Sequence, residues 1–338
     1  MIVTGDRPES IADAVRALAA GELVGMPTET VYGLAADACN DVAVAKIFSA
    51  KGRPSDHPLI VHVANAAEVS QFAQHVPKFA QSLMDVFWPG PLTLILPRRP
   101  EVGATCAGGQ DSIGLRCPSH SVALALLKAC ADAGIAGLAA PSANQFGRIS
   151  PTTAAHVQAE MGDDLLILDG GACTVGIEST IIDCTRGAPV LLRPGVLTRA
   201  QLASACGCPV LERDAPTLQA TAGPRASGTL ASHYAPNATL RLMDAQALQA
   251  AATLLEAEMR AAKIGAPKVA LYSRVPVASS TPSLLQRRMP NDAAQTAREL
   301  FAVLRDFDAR GVKLIWVETP PASSDWDGVR DRLQRAAS

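Results

Sequence analysis

A segment with unusual chemistry spans residues 27–34 and reads PTETVYGL. It follows a predicted strand and combines two threonines, a carboxylate and a tyrosine with Gly33. Open α/β sheets bind ligands beyond the carboxyl ends of their strands, so these hydroxyl groups could hold a small polar ligand there. Threonine and glycine are also frequent in ordinary turns, which leaves a purely structural interpretation open for this segment.

A second segment, residues 51–59, places two cations on either side of a glycine just after a predicted helix (KGRPSDHPL). A lysine and an arginine held on a tight loop suit a polyphosphate. Cations also favour the carboxyl end of a helix, where they stay solvated. The positions of Lys51 and Arg53 therefore indicate either phosphate binding or a charged helix end.

Single polar residues near the ends of two predicted strands offer similar alternatives. Arg116 follows an apolar run in the strand 112–117, and an arginine that points inward there could bind a carboxylate with two parallel hydrogen bonds. The alternative is a surface arginine. His62 lies within the predicted strand 59–63, and a lone strand histidine is usually structural.

A polar loop over residues 141–152 carries the runs PSAN and GRISPT. Serine at the cap and proline at the first helical position are typical of a helix start, so the sequence predicts a helix that begins at Ser150. The backbone N–H groups at such a start could bind an anion, or Ser150 could be a plain cap.

Several classes of protein are disfavoured by what the sequence lacks. It contains no GxxxxGK[ST], GxGxxG, HExxH or GxSxG motif, so bound ATP would need a different phosphate site. Its eight cysteines include no CxxC pair, which favours reduced thiols, several of them in the core. A formal net charge of −2 argues against a protein whose main task is nucleic-acid binding, although a local basic patch is compatible with it. No signal region or membrane span is predicted, so we expect a cytoplasmic protein.

Helical and extended patterns alternate through the first two hundred residues. The spacing of Ile11, Val15 and Leu18 predicts a helix over 9–20, and Asp41 can cap the next helix. Strands are more numerous than a simple βαβ repeat would give. The sequence therefore predicts an α/β domain with a mixed, twisted, open sheet over residues 8–197.

The remainder of the chain divides at a stretch rich in proline and glycine. Residues 198–237 predict a surface connector. Regular alternation then resumes over 238–338, with a helix at 245–262 and another that Asn291 caps. This rhythm predicts a smaller C-terminal α/β domain with a parallel sheet.

Taken together and in this order, the segments resemble one enzyme family. The runs PTETVYGL, KGRPSDHPL, GLRCP, PSAN, GRISPT, IEST and LRPG resemble the threonylcarbamoyl-AMP synthase family over about residues 10–196. The later run ASHYAP and the extra α/β domain look like the long form of that family. The resemblance implies a catalytic first domain with a concave, positively lined cavity.

The resemblance also implies a reaction. L-threonine, bicarbonate or CO2, and ATP with Mg²⁺ would give threonylcarbamoyl-AMP and pyrophosphate, a nucleotidyl transfer. A separate tRNA threonylcarbamoyl-transferase complex would use the product to modify tRNA, so this chain would need at most weak contact with tRNA.

Motif positions assign residues to each substrate. Lys51 and Arg53 would be the catalytic pair of the phosphate cluster, without a protein-bound metal. Threonine would be held by Thr30, His62, Arg116, the backbone at Ala140, and Ser179. ATP would be held by Lys51, Arg53, His57, Ser112, Ser142, Ser150, Arg193 and Tyr234.

Two of the residues assigned to ATP, His57 and Tyr234, need further comment. Position 57 is commonly asparagine in the family, although the histidine here can still donate a hydrogen bond. Tyr234 lies in the connector, so nucleotide contact would require residues 198–237 to fold back as a lid that excludes water from the intermediate.

Two rival functions are weighed against this one. A carbamoyl-adenylate domain of the hydrogenase-maturation type would normally accompany acylphosphatase and zinc-finger parts, and no CxxC pair is present. A non-catalytic member of the fold could instead use its cavity to bind double-stranded RNA or the ribosome. The near-neutral charge speaks against that alternative.

Overall fold

The computed structural model describes residues 1–215, 223–230, 233–261, 268–279, 281 and 283–338. The chain divides into two compact units. The first comprises Met1–Phe146 and Ser150–Thr229, and the second comprises Gly147–Ile149 and Leu230–Ser338. The main division therefore falls within the predicted connector 198–237. Parts of that connector, and residue 262 of the predicted helix 245–262, lie outside the described residues.

The described part of the first unit contains a mixed ten-stranded sheet. Its strands are β1 (Ile2–Thr4), β2 (Val24–Met26), β3 (Gly33–Asp37), β4 (Ile60–His62), β5 (Leu92–Pro97), β6 (Ser112–Arg116), β7 (Leu138–Ala139), β8 (Leu166–Asp169), β9 (Thr180–Asp183) and β10 (Val190–Arg193). They are arranged in the order β1-β8-β2-β3-β7-β4-β6-β5-β9-β10. Neighbours such as β4 and β6 run parallel, whereas β5 and β6 run antiparallel. This arrangement confirms the predicted mixed α/β fold.

Helices cover the sheet on both faces because alternate strand residues point to opposite sides. The helices of this unit are α1 (Pro8–Ala19), α2 (Asp41–Lys51), α3 (Lys78–Phe87), α4 (Ser121–Asp132), α5 (Ala154–Met161) and α6 (Arg199–Cys206). Ala35 packs with apolar residues of α1 and α4 on one face. Its neighbours Leu34 and Ala36 pack with those of α2, α3 and α6 on the other face.

The half of the sheet formed by β4, β6, β5 and β9 is covered differently. Val61, Leu94 and Leu115 face the core that α2, α3 and α6 complete. On the opposite face, Ile60 and Ile95 meet residues 225–227 of the connector. Within the described residues, a peptide segment thus takes the place of a helix here and leaves a cavity over the sheet.

The described part of the second unit contains a four-stranded sheet. The elements of this unit are β11 (Thr239–Met243), α7 (Ala245–Ala261), β12 (Val269–Ser273), β13 (Leu284–Arg288), α8 (Ala293–Ala309), β14 (Leu314–Glu318) and α9 (Asp327–Ala336). The strand order is β11-β14-β12-β13. All neighbouring strands run parallel, as predicted. Helix α8 buries an apolar stripe that includes Leu300, Phe301 and Leu304.

Two helix caps differ from the prediction by one residue. Asn40 rather than Asp41 caps α2, and its side chain accepts hydrogen bonds from the N–H groups of the first turn. Asp292 rather than Asn291 caps α8. Asparagine and aspartate are equally good caps, so adjacent candidates can be separated only by which residue keeps an extended backbone.

The predicted helix start at Ser150 is wrong. Helix α5 begins at Ala154, and the Thr153 side chain caps it by accepting from the N–H of His156. The preceding carbonyls are already used elsewhere: the carbonyl of Pro151 accepts from Tyr32 N–H at 2.9 Å. A backbone carbonyl that is bonded to another segment is not available for a helical turn, so residues 150–152 lie outside the helix.

Helix α6 lies where the sequence predicted a connector. Thr198 and Gln201 form a reciprocal capping box at its start, and Gly207 ends it in the left-handed region at φ 69°. Leu202 is fully buried in the core of the first unit. This part of residues 198–237 is therefore part of the first unit. None of the described helices is both long and apolar enough to cross a membrane.

Candidate active site

A row of polar side chains crosses four neighbouring strands of the first unit. His62 of β4 pairs in register with Arg116 of β6. The antiparallel register that sets Leu94 beside Leu115 brings Thr93 next to Arg116. Ser179 immediately precedes β9, the strand beside β5, and its hydroxyl lies 2.7 Å from that of Thr93. Strand pairing thus gathers three of the residues predicted to hold threonine.

Arg116 lies buried at the centre of this row, so the surface alternative does not apply. Its Nη1 donates to Thr30 Oγ1 at 2.8 Å and its Nη2 donates to Glu29 Oε1 at 2.6 Å. Its Nε donates to the Gly90 carbonyl at 3.3 Å. The segment 27–34 therefore presents two consecutive side chains to one guanidinium group, rather than forming an ordinary exposed turn.

His62 is fully buried beside this guanidinium. Burial, and secondly the positive charge of Arg116, lower the pKa of the imidazole to about 3. The ring is therefore neutral at physiological pH, with no hydrogen-bond partner for Nδ1 among the described residues. A neutral imidazole next to a cation can orient a ligand through one donor and one acceptor without adding charge.

Arg193, at the end of β10, connects Ser179 to the connector. Its Nε and Nη2 donate to the Ser179 carbonyl at 3.0 and 2.9 Å, and Nη2 also reaches Ser179 Oγ at 3.1 Å. Its Nη1 donates to the carbonyl of Ser227 at 2.9 Å. A residue predicted to hold ATP thus contacts one predicted to hold threonine.

Arg53 contacts the same connector residue from the other side. Its Nη2 donates to the Pro58 carbonyl at 2.8 Å and to Ser227 Oγ at 3.2 Å. Its guanidinium carbon lies 5.6 Å from the Phe146 ring centroid, and the ring of His57 meets the same phenyl ring edge-on at 5.3 Å. Burial and the neighbouring Arg53 lower the pKa of His57.

Lys51 is buried with 2% of its surface exposed, which excludes the solvated helix end. Its Nζ donates to the carbonyls of Ser142 and Asn144, both at 2.5 Å. Burial, and secondly Arg53, lower the pKa of Lys51 to about 7, while Glu160 raises it. The amine therefore titrates near neutrality, where a nearby anion would favour its charged form.

Ser150 and Ala140, which also have predicted roles, are both buried. Ser150 is fully buried and its hydroxyl donates to Glu178. The N–H of Ala140 donates to the Ile60 carbonyl at 3.0 Å. Gly33 packs closely beside it, because a Cβ there would lie 3.0 Å from the Ala140 methyl group.

A narrow cavity that is partly open to solvent lies over the face of β4, β6, β5 and β9. Ser112 and Gly114 form part of its floor, and residues 225–227 lie across it. Because alternate residues share a face, Ser112, Gly114 and Arg116 line one edge of this surface in succession. The cavity thus runs from Ser112, predicted to hold ATP, toward the row that contains Arg116.

The connector is held over this cavity by Gln110 as well as by the two arginines. Gln110 Oε1 accepts from Arg225 N–H at 2.7 Å, and Arg225 Nη2 donates to the Gly108 carbonyl at 3.0 Å. Ser227 Oγ donates to the Pro58 carbonyl at 2.7 Å. Residues 225–227 therefore cover the cavity in this structure.

Tyr234 belongs to the second unit and is described within it. The residue has a positive φ of 62° and is almost fully buried. Its ring lies 5.6 Å from that of Phe301 and 5.3 Å from the Arg332 guanidinium carbon. The predicted contact between Tyr234 and ATP stays a prediction.

The structure also brings in residues to which the sequence assigned no role. Glu29, Thr93, Glu178 and Ser227 each hydrogen-bond to a residue with a predicted role. Glu29 could have been singled out as the carboxylate of the segment 27–34. Thr93 and Ser227 carry no local signal, because their roles depend on strand pairing and on the path of the connector. Among the described residues, no cluster of three histidine, cysteine, aspartate or glutamate side chains could hold a metal ion.

Known proteins similar to this chain match it over both units. A family model described as "Telomere recombination" matches residues 16–195, and one described as "Threonylcarbamoyl-AMP synthase, C-terminal domain" matches residues 197–338. The threonylcarbamoyl-AMP synthase of Bacillus subtilis is 37% identical over 97% of this chain and 92% of its own length. That of Pyrococcus abyssi is 35% identical over 94% of this chain and 91% of its own.

Solved structures agree with these matches. The crystal structure of P. abyssi Sua5 complexed with L-threonine superposes with a TM-score of 0.86 at 34% identity. It covers 100% of this chain and 97% of its own.

Proposed function

Because this chain belongs to the threonylcarbamoyl-AMP synthase family, we propose that its first unit makes threonylcarbamoyl-AMP in the cavity beneath residues 225–227. It is an enzyme of the nucleotidyltransferase type. The observation that carries the proposed location is that Arg53 and Arg193 converge on Ser227, above a sheet face that leads to Arg116. The names of the similar proteins favour catalysis over the RNA-binding alternative.

The two substrates would occupy different ends of the cavity. Arg116 would bind the threonine carboxylate, with His62, Thr30, Ser179 and the backbone at Ala140 around the rest of the molecule. The triphosphate would lie near Lys51, Arg53 and Arg193, which neutralise its charge. Mg²⁺ would enter as part of the substrate, bound to the phosphates of ATP.

The proposed reaction needs positioning rather than a covalent enzyme intermediate. The threonine ammonium group releases one proton to solvent, and the lone pair that this exposes adds to the carbon of CO2. Release of a second N–H proton to solvent leaves a carbamate. A carbamate oxygen then attacks the α-phosphorus of ATP, the bond to the β-phosphate bridging oxygen breaks, and pyrophosphate leaves. Holding the two reactants in line converts a bimolecular step into an effectively intramolecular one. Residues 225–227 would shield the product from water.

The product would be passed on to a tRNA threonylcarbamoyl-transferase complex. Threonylcarbamoyl-AMP is a mixed anhydride of a carbamic acid and a phosphate, and therefore a reactive donor of its acyl group. The class of enzyme that consumes it must supply a nucleophilic amine, here the exocyclic amine of an adenosine in tRNA.

Pyrophosphate release by the purified protein tests this function. We expect release that requires ATP, L-threonine and bicarbonate together, and a loss of the threonine-dependent release in Arg116→Ala. Serine should react more weakly than threonine and valine hardly at all, because a site that hydrogen-bonds a hydroxyl rejects analogues that lack it. Release that is independent of threonine in the unmodified protein would refute the proposal.

A further inference from the structure

Glu29 is a buried carboxylate in the site to which none of the proposed roles applies. Only 5% of its surface is exposed. Its Oε1 accepts from Arg116 Nη2 at 2.6 Å, and its Oε2 accepts from the N–H of Ser119 at 3.1 Å. A carboxylate has about four lone-pair positions, so these two bonds leave it able to accept from another donor.

The hydroxyl groups beside Glu29 are already engaged by their neighbours. Thr28 Oγ1 donates its single proton to the Val31 carbonyl at 2.5 Å and accepts from the backbone N–H groups of Thr30 and Val31, both at 3.2 Å. Thr30 Oγ1 lies 2.9 Å from Thr28 Oγ1 and accepts from Arg116 Nη1. One lone pair of Thr30 Oγ1 is left over, so Thr30 can accept a hydrogen bond from a substrate.

Arg116, in contrast, has hydrogen-bond donors left for a ligand. A guanidinium group has five N–H donors, and the Gly90 carbonyl, Thr30 and Glu29 use three of them. One donor remains on each terminal nitrogen, which is the number that a carboxylate accepts in a two-pronged pair. Glu29 and Thr30 thus determine which donors of Arg116 are left for a ligand.

We propose that Glu29 is a specificity-determining residue of the amino-acid subsite, which holds the ammonium group of a zwitterionic α-amino acid while Arg116 holds its carboxylate. This inference rests on the proposed function and adds a residue to it. The cluster presents two donors on a cation, an acceptor hydroxyl and an anion. That set is complementary to a neighbouring carboxylate and ammonium group on one carbon atom.

Charge balance supports the same assignment. Arg116 and Glu29 form a buried ion pair whose charges cancel. A monoanionic ligand on Arg116 would leave one uncompensated negative charge next to Glu29, in a setting where unpaired charge is costly. A zwitterion adds no net charge and supplies the donor that Glu29 can still accept.

Two ligands that differ only in the amine test the proposal. L-threonine and (R)-3-hydroxybutanoate share the carboxylate and the hydroxyl group, but the second lacks the ammonium group. In the unmodified protein we expect threonine to bind roughly tenfold or more tightly, the factor expected for a hydrogen bond to a charged group. Dissociation constants would be measured by calorimetry or NMR titration on the full chain.

Glu29→Gln should largely abolish this preference. Threonine should bind roughly tenfold more weakly, whereas (R)-3-hydroxybutanoate should bind equally well or more tightly, because a negative charge next to Arg116 is removed. Glu29→Asp retains the charge and should keep the preference for threonine. Equal weakening of both ligands in Glu29→Gln would mean that Glu29 only supports Arg116, and an unchanged preference would equally overturn the proposal.

A second buried ion pair in the same unit provides a matched control. Asp183 is fully buried and accepts from Arg186 Nε at 2.7 Å. Asp183→Asn should lower the unfolding temperature without changing the ratio of the two affinities. Pyrophosphate release by the unmodified protein separates the two proposals. If this release requires threonine but Glu29→Gln keeps the preference for threonine over (R)-3-hydroxybutanoate, only the role of Glu29 is refuted. Threonine-independent release refutes the proposed function itself.

Discussion

Replacing Lys51 with methionine should remove a proton uptake that accompanies nucleotide binding. The neutral amine of Lys51 has two N–H groups, and the carbonyls of Ser142 and Asn144 take both. Protonation creates a third donor and a positive charge. A triphosphate placed beside Nζ would therefore bind most favourably to the protonated lysine and raise its pKa.

The size of the uptake follows from the lowered pKa. With a pKa of about 7 in the free protein, about 0.9 of the Lys51 amines are neutral at pH 8 and about 0.1 at pH 6. If the bound nucleotide raises this pKa well above 8, binding takes up about 0.9 protons at pH 8 and about 0.1 at pH 6. The sign is an uptake, because the free site holds fewer protons than the complex.

Calorimetric titration of MgATP in buffers of different ionisation enthalpy measures this number directly. The unmodified protein should take up about 0.9 more protons at pH 8 than Lys51→Met, and the two should nearly coincide at pH 6. Lys46→Met is the matched control, because Lys46 lies on the same helix and pairs with Glu22 at 2.8 Å on the surface. Equal uptake by the unmodified protein and Lys51→Met at pH 8 would show that this reasoning is wrong.

Three further substitutions test the cavity, its cover and the core. Gly114→Val should raise the dissociation constant for ATP at least tenfold in a calorimetric titration. Its Cβ would already contact Ile60 and Thr93 at 3.5 Å, so the two further methyl groups would occupy space in the cavity that Gly114 lines. Unaltered affinity would place the nucleotide elsewhere. Ser227→Ala removes the bonds to Arg53 and the Pro58 carbonyl and should weaken ATP binding roughly twofold to tenfold in the same assay, whereas no change would exclude a role for the cover. Leu202→Ala should lower the unfolding free energy by about 2–5 kcal/mol in denaturant titrations, since this leucine is fully buried; a negligible loss would contradict the packing of α6.

The fold was predictable where periodicity was strong. The apolar stripe of α8 and the strands of the parallel sheet in the second unit follow directly from spacing, apart from β13. Helix α6 was missed although Thr198 and Gln201 form a recognisable capping box, because proline and glycine dominate the sequence after it. Strand β3 was missed because the segment 27–34 reads as a turn, and Gly33 both ends that turn and begins the strand.

The candidate site was predictable by residue type more than by arrangement. Arg116 and Lys51 stood out as cations beside apolar elements, but their burial is a property of the packed sheet. The partners Thr93 and Ser227 could not be found from the sequence. The role of Thr93 depends on the register between β5 and β9. The role of Ser227 depends on the connector, which folds back over the sheet and contacts Arg193 at the end of β10.

The position of Gly147–Ile149 in the chain determines when the contacts of the second unit can form during synthesis. They belong to the second unit, yet they are made before the last third of the first. Arg305, which donates to the carbonyl of Ile149, follows 156 residues later. At ribosomal rates of about 5–20 residues per second, this carbonyl waits roughly 8–30 s for its partner. Until then the Ile149 carbonyl must accept hydrogen bonds from water. The continuous stretch Leu230–Ser338 therefore cannot complete the second unit without Gly147–Ile149. A gene divided after Thr229 would give a C-terminal product without the strand-like partner that Arg148 provides for Ala235.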